Sequence, residues 1–345
     1  MNQLLGAQQK LLPEMTVLLQ KRYRLLMTIQ LSGIIGRRAL SEMVHATERE
    51  TRRELDILRA QGLIEVLANG MEITQEGNNV LVTLKELVHE WSGLNAMELQ
   101  LEKAFKLARV IIVPGDSEVE SISKSLIGQE AAKQLELLSK KDDIIAVTGG
   151  SSIAAITNHL SVHIKPKSLV FVAARGGIGE NVELQANHIA SAFAVQASGT
   201  SRTLYLPDHL SEKAYKTMIK EPVIKEMMDL YDNTNIVIHG IGDAKEMALR
   251  RNSSEQELEK IAQMQAVGEA FGYYFNEQGK AVHRIRTVGI QLKQLKQAQH
   301  LLAVAGGASK AQAILSYLNH APQQTVLISD EGAAKKLTQL MQKEN

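Results

Sequence analysis

The chain has 345 residues, 44 % apolar and 22 % charged, with 39 lysines and arginines against 38 aspartates and glutamates and no cysteine. That length suits two compact units, and the balance excludes wholesale disorder and a polybasic coat. Lack of cysteine removes disulfides, thiolate metal sites and cysteine nucleophiles; with no run of about 18 apolar residues and no cleavable leader, it predicts a cytoplasmic protein without a membrane anchor.

In chain order, Leu4, Leu5, Leu11, Leu12 and Met15 form an ambiguous apolar opening, and a helical pattern runs from Thr16 to Gln30. A second helix is expected over Arg37 to Val44. After His45 and Ala46, Thr47 with Glu50 three residues on is a capping box, so a third helix starts there. Thr51, Leu55 and Leu58 fall on its apolar stripe, while Arg49, Arg52, Arg53 and Asp56 fall opposite. Gly62 ends it. Runs at Ile64 to Ala68 and Met71 to Thr74 flank Asn69-Gly70, a hairpin signal. Helix, turn, helix and wing over residues 1–74 predict a winged helix-turn-helix.

From Lys21 to Gly62 there are nine basic and five acidic residues, an excess that the whole chain lacks. Arg37, Arg38, Thr47, Arg49, Arg52 and Arg53 are the candidate DNA-binding residues, because guanidinium forks match phosphates and guanine edges. The rival reading is the solvated face of a protein-interaction module. Arginines on the early turns of the third helix favour DNA.

Residues 75–107 read as a helical linker with Val80, Leu84, Leu87, Val88, Leu94, Met97, Leu101 and Phe105 at three- and four-residue steps. Packing on a neighbouring domain and oligomerisation both fit that stripe. Residues 108–345 alternate short apolar runs with helical patterns: Val110 to Val113, Ile144 to Val147, Leu169 to Ala173, Thr203 to Leu206, Ile236 to Ile238, Leu301 to Val304 and Thr325 to Ile328. Such alternation predicts an α/β domain whose mostly parallel sheet is covered on both faces, with ligands beyond the carboxyl ends of the strands.

Three glycine-rich loops follow these runs: Thr148 to Ser152, Arg175 to Gly179, and Gly306 to Lys310. Gly149, Gly150, Ser151 and Ser152 at a helix start suit an anion, and Lys310 in a first helical turn wants a negative partner. A single Gly-Gly is only a tight connection; three such loops with Ser151, Ser152, Arg175 and Lys310 point to a phosphorylated ligand. Dinucleotide fingerprints fail at Val182 and at Lys245, and no Gly-Lys-Ser/Thr exists. His159 and His163, four apart on an expected helix, lack further ligands, so no metal is predicted. Arg250 and Arg251 fit either solvated arginines or a second phosphate clamp. Glu269 reads by residue chemistry as a helix-surface charge, with a sugar-hydroxyl acceptor as the other option.

Gly62-Leu63-Ile64, Gly128 before Ala131-Ala132, Thr148 to Ser152, Gly240-Ile241-Gly242, Ala266 to Glu269, Gly306-Gly307 with Lys310-Ala311, and Ser329-Asp330-Glu331 together resemble the SorC family of bacterial sugar-responsive transcription regulators. The likeness covers nearly the whole chain and is greatest to regulators of glycolytic operons. It implies an effector domain like glucosamine-6-phosphate deaminase and ribose-5-phosphate isomerase, with fructose 1,6-bisphosphate as effector and operator DNA as target. It also implies ligand contacts at Gly149 to Ser152, Arg175, Gln185, Arg250, Glu269 and Lys310. Enzymes of that fold carry Asp-Gly-His after the Gly-x-Gly strand; here Asp243-Ala244-Lys245 has no histidine, and Arg175-Gly176-Gly177 replaces their acidic pair. The expectation is a repressor without catalytic residues or cofactor, acting as a homodimer or homotetramer. A sugar-phosphate isomerase or deaminase and a multimeric scaffold are the alternatives.

Overall fold

The computed structural model describes Gly6, residues 10–178 and residues 181–344; Leu4, Leu5 and Gly179 lie outside the described residues. Two compact units emerge, one formed by Met1–Ala96 with Glu120–Ile122 and the other by Met97–Val119 with Ser123–Asn345.

In the smaller unit, helix Pro13–Ser32 buries Leu25, Leu26 and Ile29. Helix Arg37–Met43 leads through His45 to helix Glu48–Ala60. Thr47 caps the latter with Glu50 in the expected reciprocal box, and Thr51, Leu55 and Leu58 are buried as the stripe requires. Strands β1 (Ile64–Leu67) and β2 (Gly70–Ile73) form the antiparallel hairpin. Its turn is Ala68-Asn69 instead of Asn69-Gly70, because Leu67 pairs with Gly70. Gly70 is needed for another reason: a Cβ there would lie 2.8 Å from the Ile35 carbonyl oxygen, and Ile35 bridges Met71 as a third extended segment. The apolar periodicity of residues 75–107 resolves into helices Gln75–Trp91 and Leu94–Phe105, broken at Gly93 with φ 72°.

The larger unit holds strands β3 (Arg109–Val113), β4 (Ile144–Val147), β5 (Val170–Ala173), β6 (Thr200–Arg202), β7 (Ile236–His239), β8 (Gly242–Asp243), β9 (Ala266–Ala270), β10 (Tyr273–Asn276), β11 (Ala281–Arg284), β12 (His300–Val304) and β13 (Thr325–Asp330). Among the described residues seven of these form a parallel sheet ordered β3-β13-β12-β7-β4-β5-β6. The strand expected at Thr203 to Leu206 lies earlier, at Thr200–Arg202. Both backbone groups of Leu204 bond to the Asn187 side chain at 2.8 and 2.9 Å, which draws that stretch out of the ladder.

The chain runs outward from β4 through β5 to β6 and then returns to place β7 on the other flank of β4. That reversal opens a crevice at the carboxyl ends of β4 and β7, where open α/β sheets place ligands. A four-stranded antiparallel sheet, β11-β10-β9-β8, was not anticipated from the sequence. Ala244, Ala248, Ile261, Tyr274 and Ile285 make its core.

Candidate effector and DNA sites

A cavity of about 500 Å³ lies at the β4/β7 crevice. One wall is the loop Thr148 to Ser152. A Cβ on Gly149 would sit 2.5 Å from the Leu184 carbonyl oxygen, and Gly150 has φ +118°, so both glycines are dictated by the backbone path. Gly150 precedes the short helix Ser151–Ala154, which no side chain caps, and its first-turn amides have no intrahelical acceptor. Ser151 and Ser152 bring their hydroxyls to the same wall.

Arg175 also reaches the cavity, but its charge is already matched. Its Nε and Nη2 donate to the two Asp208 oxygens at 2.9 and 2.7 Å, and Nη1 donates to Glu269 Oε1 at 2.9 Å. Arg251 mirrors it, donating to Asp208 Oδ2 and Glu269 Oε1 at 2.9 Å each and to the Tyr274 hydroxyl at 3.1 Å. All four charged side chains are buried, Glu269 to 4 % exposure. Burial alone would push the two carboxyl groups up; the guanidiniums win and hold Asp208 and Glu269 below the usual range. Two positive and two negative charges cancel, so Arg175 offers residual N–H groups and no net charge to a ligand.

Glu269 is therefore no helix-surface residue. It stands on β9, and the backbone amide of Gly272 donates to it across the turn. Arg250 ends helix Ala244–Arg250 and Arg251 caps it, and they part ways: Arg251 is buried, whereas Arg250 is exposed, lines the cavity and lies 3.9 Å from Glu246. Gln185 accepts from the Ile178 amide at 2.6 Å and donates to the Ile178 carbonyl, so it clasps the wall that carries Gly176 and Ile178.

The third glycine loop departs from expectation. Its amides are already occupied by carboxylates: Gly307 N donates to Asp330 at 2.7 Å, Ala308 N to Asp116 at 3.4 Å and Ser309 N to Glu118 at 3.1 Å. No second phosphate cradle remains there. Only Lys310 reaches the cavity, where burial pushes its amine down while Glu246 opposes that effect. His159 and His163 fall in separate 3-10 turns, and His159 Nε2 lies 3.0 Å from the Ser125 hydroxyl. Among the described residues no cluster of three or more His, Asp or Glu could hold a metal.

Sequence reasoning missed Asp208 and Glu246 and left Arg251 undecided. Asp208 follows Pro207 in a loop with no local signal, and its partners are 33 and 43 positions away.

In the smaller unit, Arg37, Arg38, Arg49 and Arg52 are exposed, and Thr47 is the exposed cap of helix Glu48–Ala60. Arg38 pairs with Glu42 one turn on. Arg53 donates at 3.0 Å to the buried Glu54, which also accepts from Arg22 Nε at 2.9 Å. Arg53 is thus exposed but tied to a buried carboxylate, while among the described residues Arg49 and Arg52 have no ion-pair partner.

Two family models match: "Putative sugar-binding domain" over residues 89–339 and "CggR N-terminal DNA binding domain" over residues 18–88. The chain is 45 % identical over 338 residues to the central glycolytic genes regulator of Priestia megaterium, covering 98 % of each. It is 43 % identical to the regulator of the same name in Bacillus subtilis, over 98 % of this chain and 99 % of that one. A SorC family transcriptional regulator from Enterococcus faecalis has a crystal structure that matches with TM-score 0.66 and 40 % identity, over 70 % of this chain and 99 % of that one.

Proposed function

The chain belongs to the SorC family of sugar-responsive transcriptional regulators, and on that premise we propose that it represses a glycolytic operon under the control of fructose 1,6-bisphosphate. It is a regulator and not an enzyme. Helix Glu48–Ala60 enters the major groove of operator DNA with Arg49 and Arg52, Arg37 and Arg38 hold phosphates, and β1–β2 is the wing. The protein works in the cytoplasm as a homodimer or homotetramer on paired half-sites.

The observation that carries the effector reading is the cavity at the β4/β7 crevice. It joins the Gly149 to Ser152 loop to Lys310 and Arg250, two cations outside the neutral buried quartet. One phosphate sits at the Gly149 to Ser152 loop with Lys310, on the Ser151 and Ser152 amides and hydroxyls since the Gly150 amide is taken by the Leu184 carbonyl, and the other sits on Arg250. Glu269, whose Oε1 is committed to the arginines, orients sugar hydroxyls through its other oxygen, and Arg175 supplies a neutral N–H edge. Gln185 acts by holding the wall.

Control requires the ligand to favour one of two protein arrangements; a coupling of about 1–3 kcal/mol changes operator affinity roughly five- to 150-fold. An operator mobility-shift assay with and without the bisphosphate tests this. A shift in operator affinity within that range supports the reading, and an affinity indifferent to the ligand defeats it.

A further inference from the structure

Arg250 pairs with a carboxylate one turn back on its own helix. Glu246 occupies the third position of helix Ala244–Arg250, where the Asp243 side chain caps its amide at 2.9 Å and so fixes the start of the helix. The helix is pressed close to β8: a Cβ on Gly242 would meet Met247 Cγ at 2.4 Å. From this anchored turn the Glu246 carboxylate lies 3.9 Å from Arg250 Nη2. All three side chains line the same cavity. Glu246 also pulls electrostatically on the Lys310 amine, opposing its burial.

We infer that Glu246 is a specificity-determining residue of the effector site, an internal counter-anion on Arg250 that a ligand phosphate must displace. The inference rests on the effector reading above and adds to it a residue that lowers affinity. A carboxylate and a phosphate cannot share Arg250 without repulsion, so Glu246 holds bisphosphate affinity below what the cations alone would give. The exposed pair with Arg250 contributes little to folding, which leaves the residue free to act on the ligand.

Titration calorimetry of the full chain and its E246Q and E246A variants tests this with fructose 1,6-bisphosphate, fructose 6-phosphate and inorganic phosphate. Both variants are expected to bind the bisphosphate about three- to tenfold more tightly. Fructose 6-phosphate, whose one phosphate takes the Gly149 to Ser152 loop, should change less than twofold. Unchanged bisphosphate affinity overturns the inference. Weakened affinity overturns it too, since Glu246 would then be holding a sugar hydroxyl. If the wild-type chain binds no bisphosphate, the effector reading falls separately. Inorganic phosphate then decides on Glu246: tighter binding by both variants upholds the counter-anion, and equal or weaker binding removes it.

Discussion

Arg251 and Glu269 face one another at 2.9 Å inside the larger unit, and the same Glu269 oxygen takes a second 2.9 Å bond from Arg175. With Asp208 they form a closed, neutral quartet at the wall of the β4/β7 cavity. Breaking such a set is costlier than its net worth, because the groups left behind stay buried and charged. Glu269→Gln leaves two guanidiniums against one carboxylate. The expected loss is about 3–5 kcal/mol in urea unfolding of the larger unit. A loss below about 1 kcal/mol would mean that water reaches the quartet, since exposed pairs are worth no more than that.

Arg52 and Arg53 are neighbours with opposite fates. Arg52 is exposed without an ion-pair partner among the described residues, whereas Arg53 is tied to buried Glu54. Arg52→Ala should weaken operator binding by about 1–3 kcal/mol and leave thermal stabilisation by the bisphosphate intact. Arg53→Ala should weaken binding and also lower the melting temperature of the smaller unit. Equal melting temperatures for the two variants would show that the Arg53–Glu54 pair carries no stability.

Lys310→Met keeps the alkyl stem and removes the charge. Operator affinity without ligand should match wild type, while the bisphosphate should no longer alter the mobility shift. The amine is half the cationic set of the cavity. Loss of operator binding by the free protein would assign Lys310 to the fold instead.

Local signals were legible and distant ones were not. The Thr47 box and the Gly62 stop depend on three or four neighbouring residues, and the structure reproduces both. The inner parallel strands were readable because burial on both faces makes them short apolar runs, whereas the edge strand β6, Thr-Ser-Arg, carries no such run. Failures arose where a side chain far along the chain settles the matter. Asn187 diverts Leu204 from the sheet, and Asp116, Glu118 and Asp330 fill the Gly306 to Ser309 loop, two of them from nearly two hundred residues away. Glu269 looked like a surface charge because nothing local announces that Arg175 and Arg251 will meet it. The strand pair around it did leave a trace: Phe271-Gly272 is a positive-φ turn before the aromatic run Tyr273 to Phe275, which is strand chemistry.

Acid should destabilise the larger unit through His239. This residue ends β7, with Nδ1 3.1 Å from the Gly240 carbonyl and Nε2 3.0 Å from the Tyr317 hydroxyl. Burial pushes its pKa down to about 4, although the Gly240 carbonyl and Glu269 pull the other way. In the unfolded chain the imidazole titrates near 6.5. Between those values the unfolded state binds a proton that the folded state refuses, so stability falls as pH drops, by up to about 1.4 kcal/mol per pH unit. Burial also lowers His159, His283 and His300, which adds to the same trend. Asp208 and Glu269 are held below the usual carboxylate range, so the stability they contribute is lost only under stronger acid. Urea unfolding at pH 7, 6 and 5 should show stability declining below about 6.5 and level above it. In His239→Gln, the Tyr317 hydroxyl can still find an acceptor and no proton is refused, so the decline should be shallower. An equally steep decline in that variant would place the acid sensitivity in the other histidines.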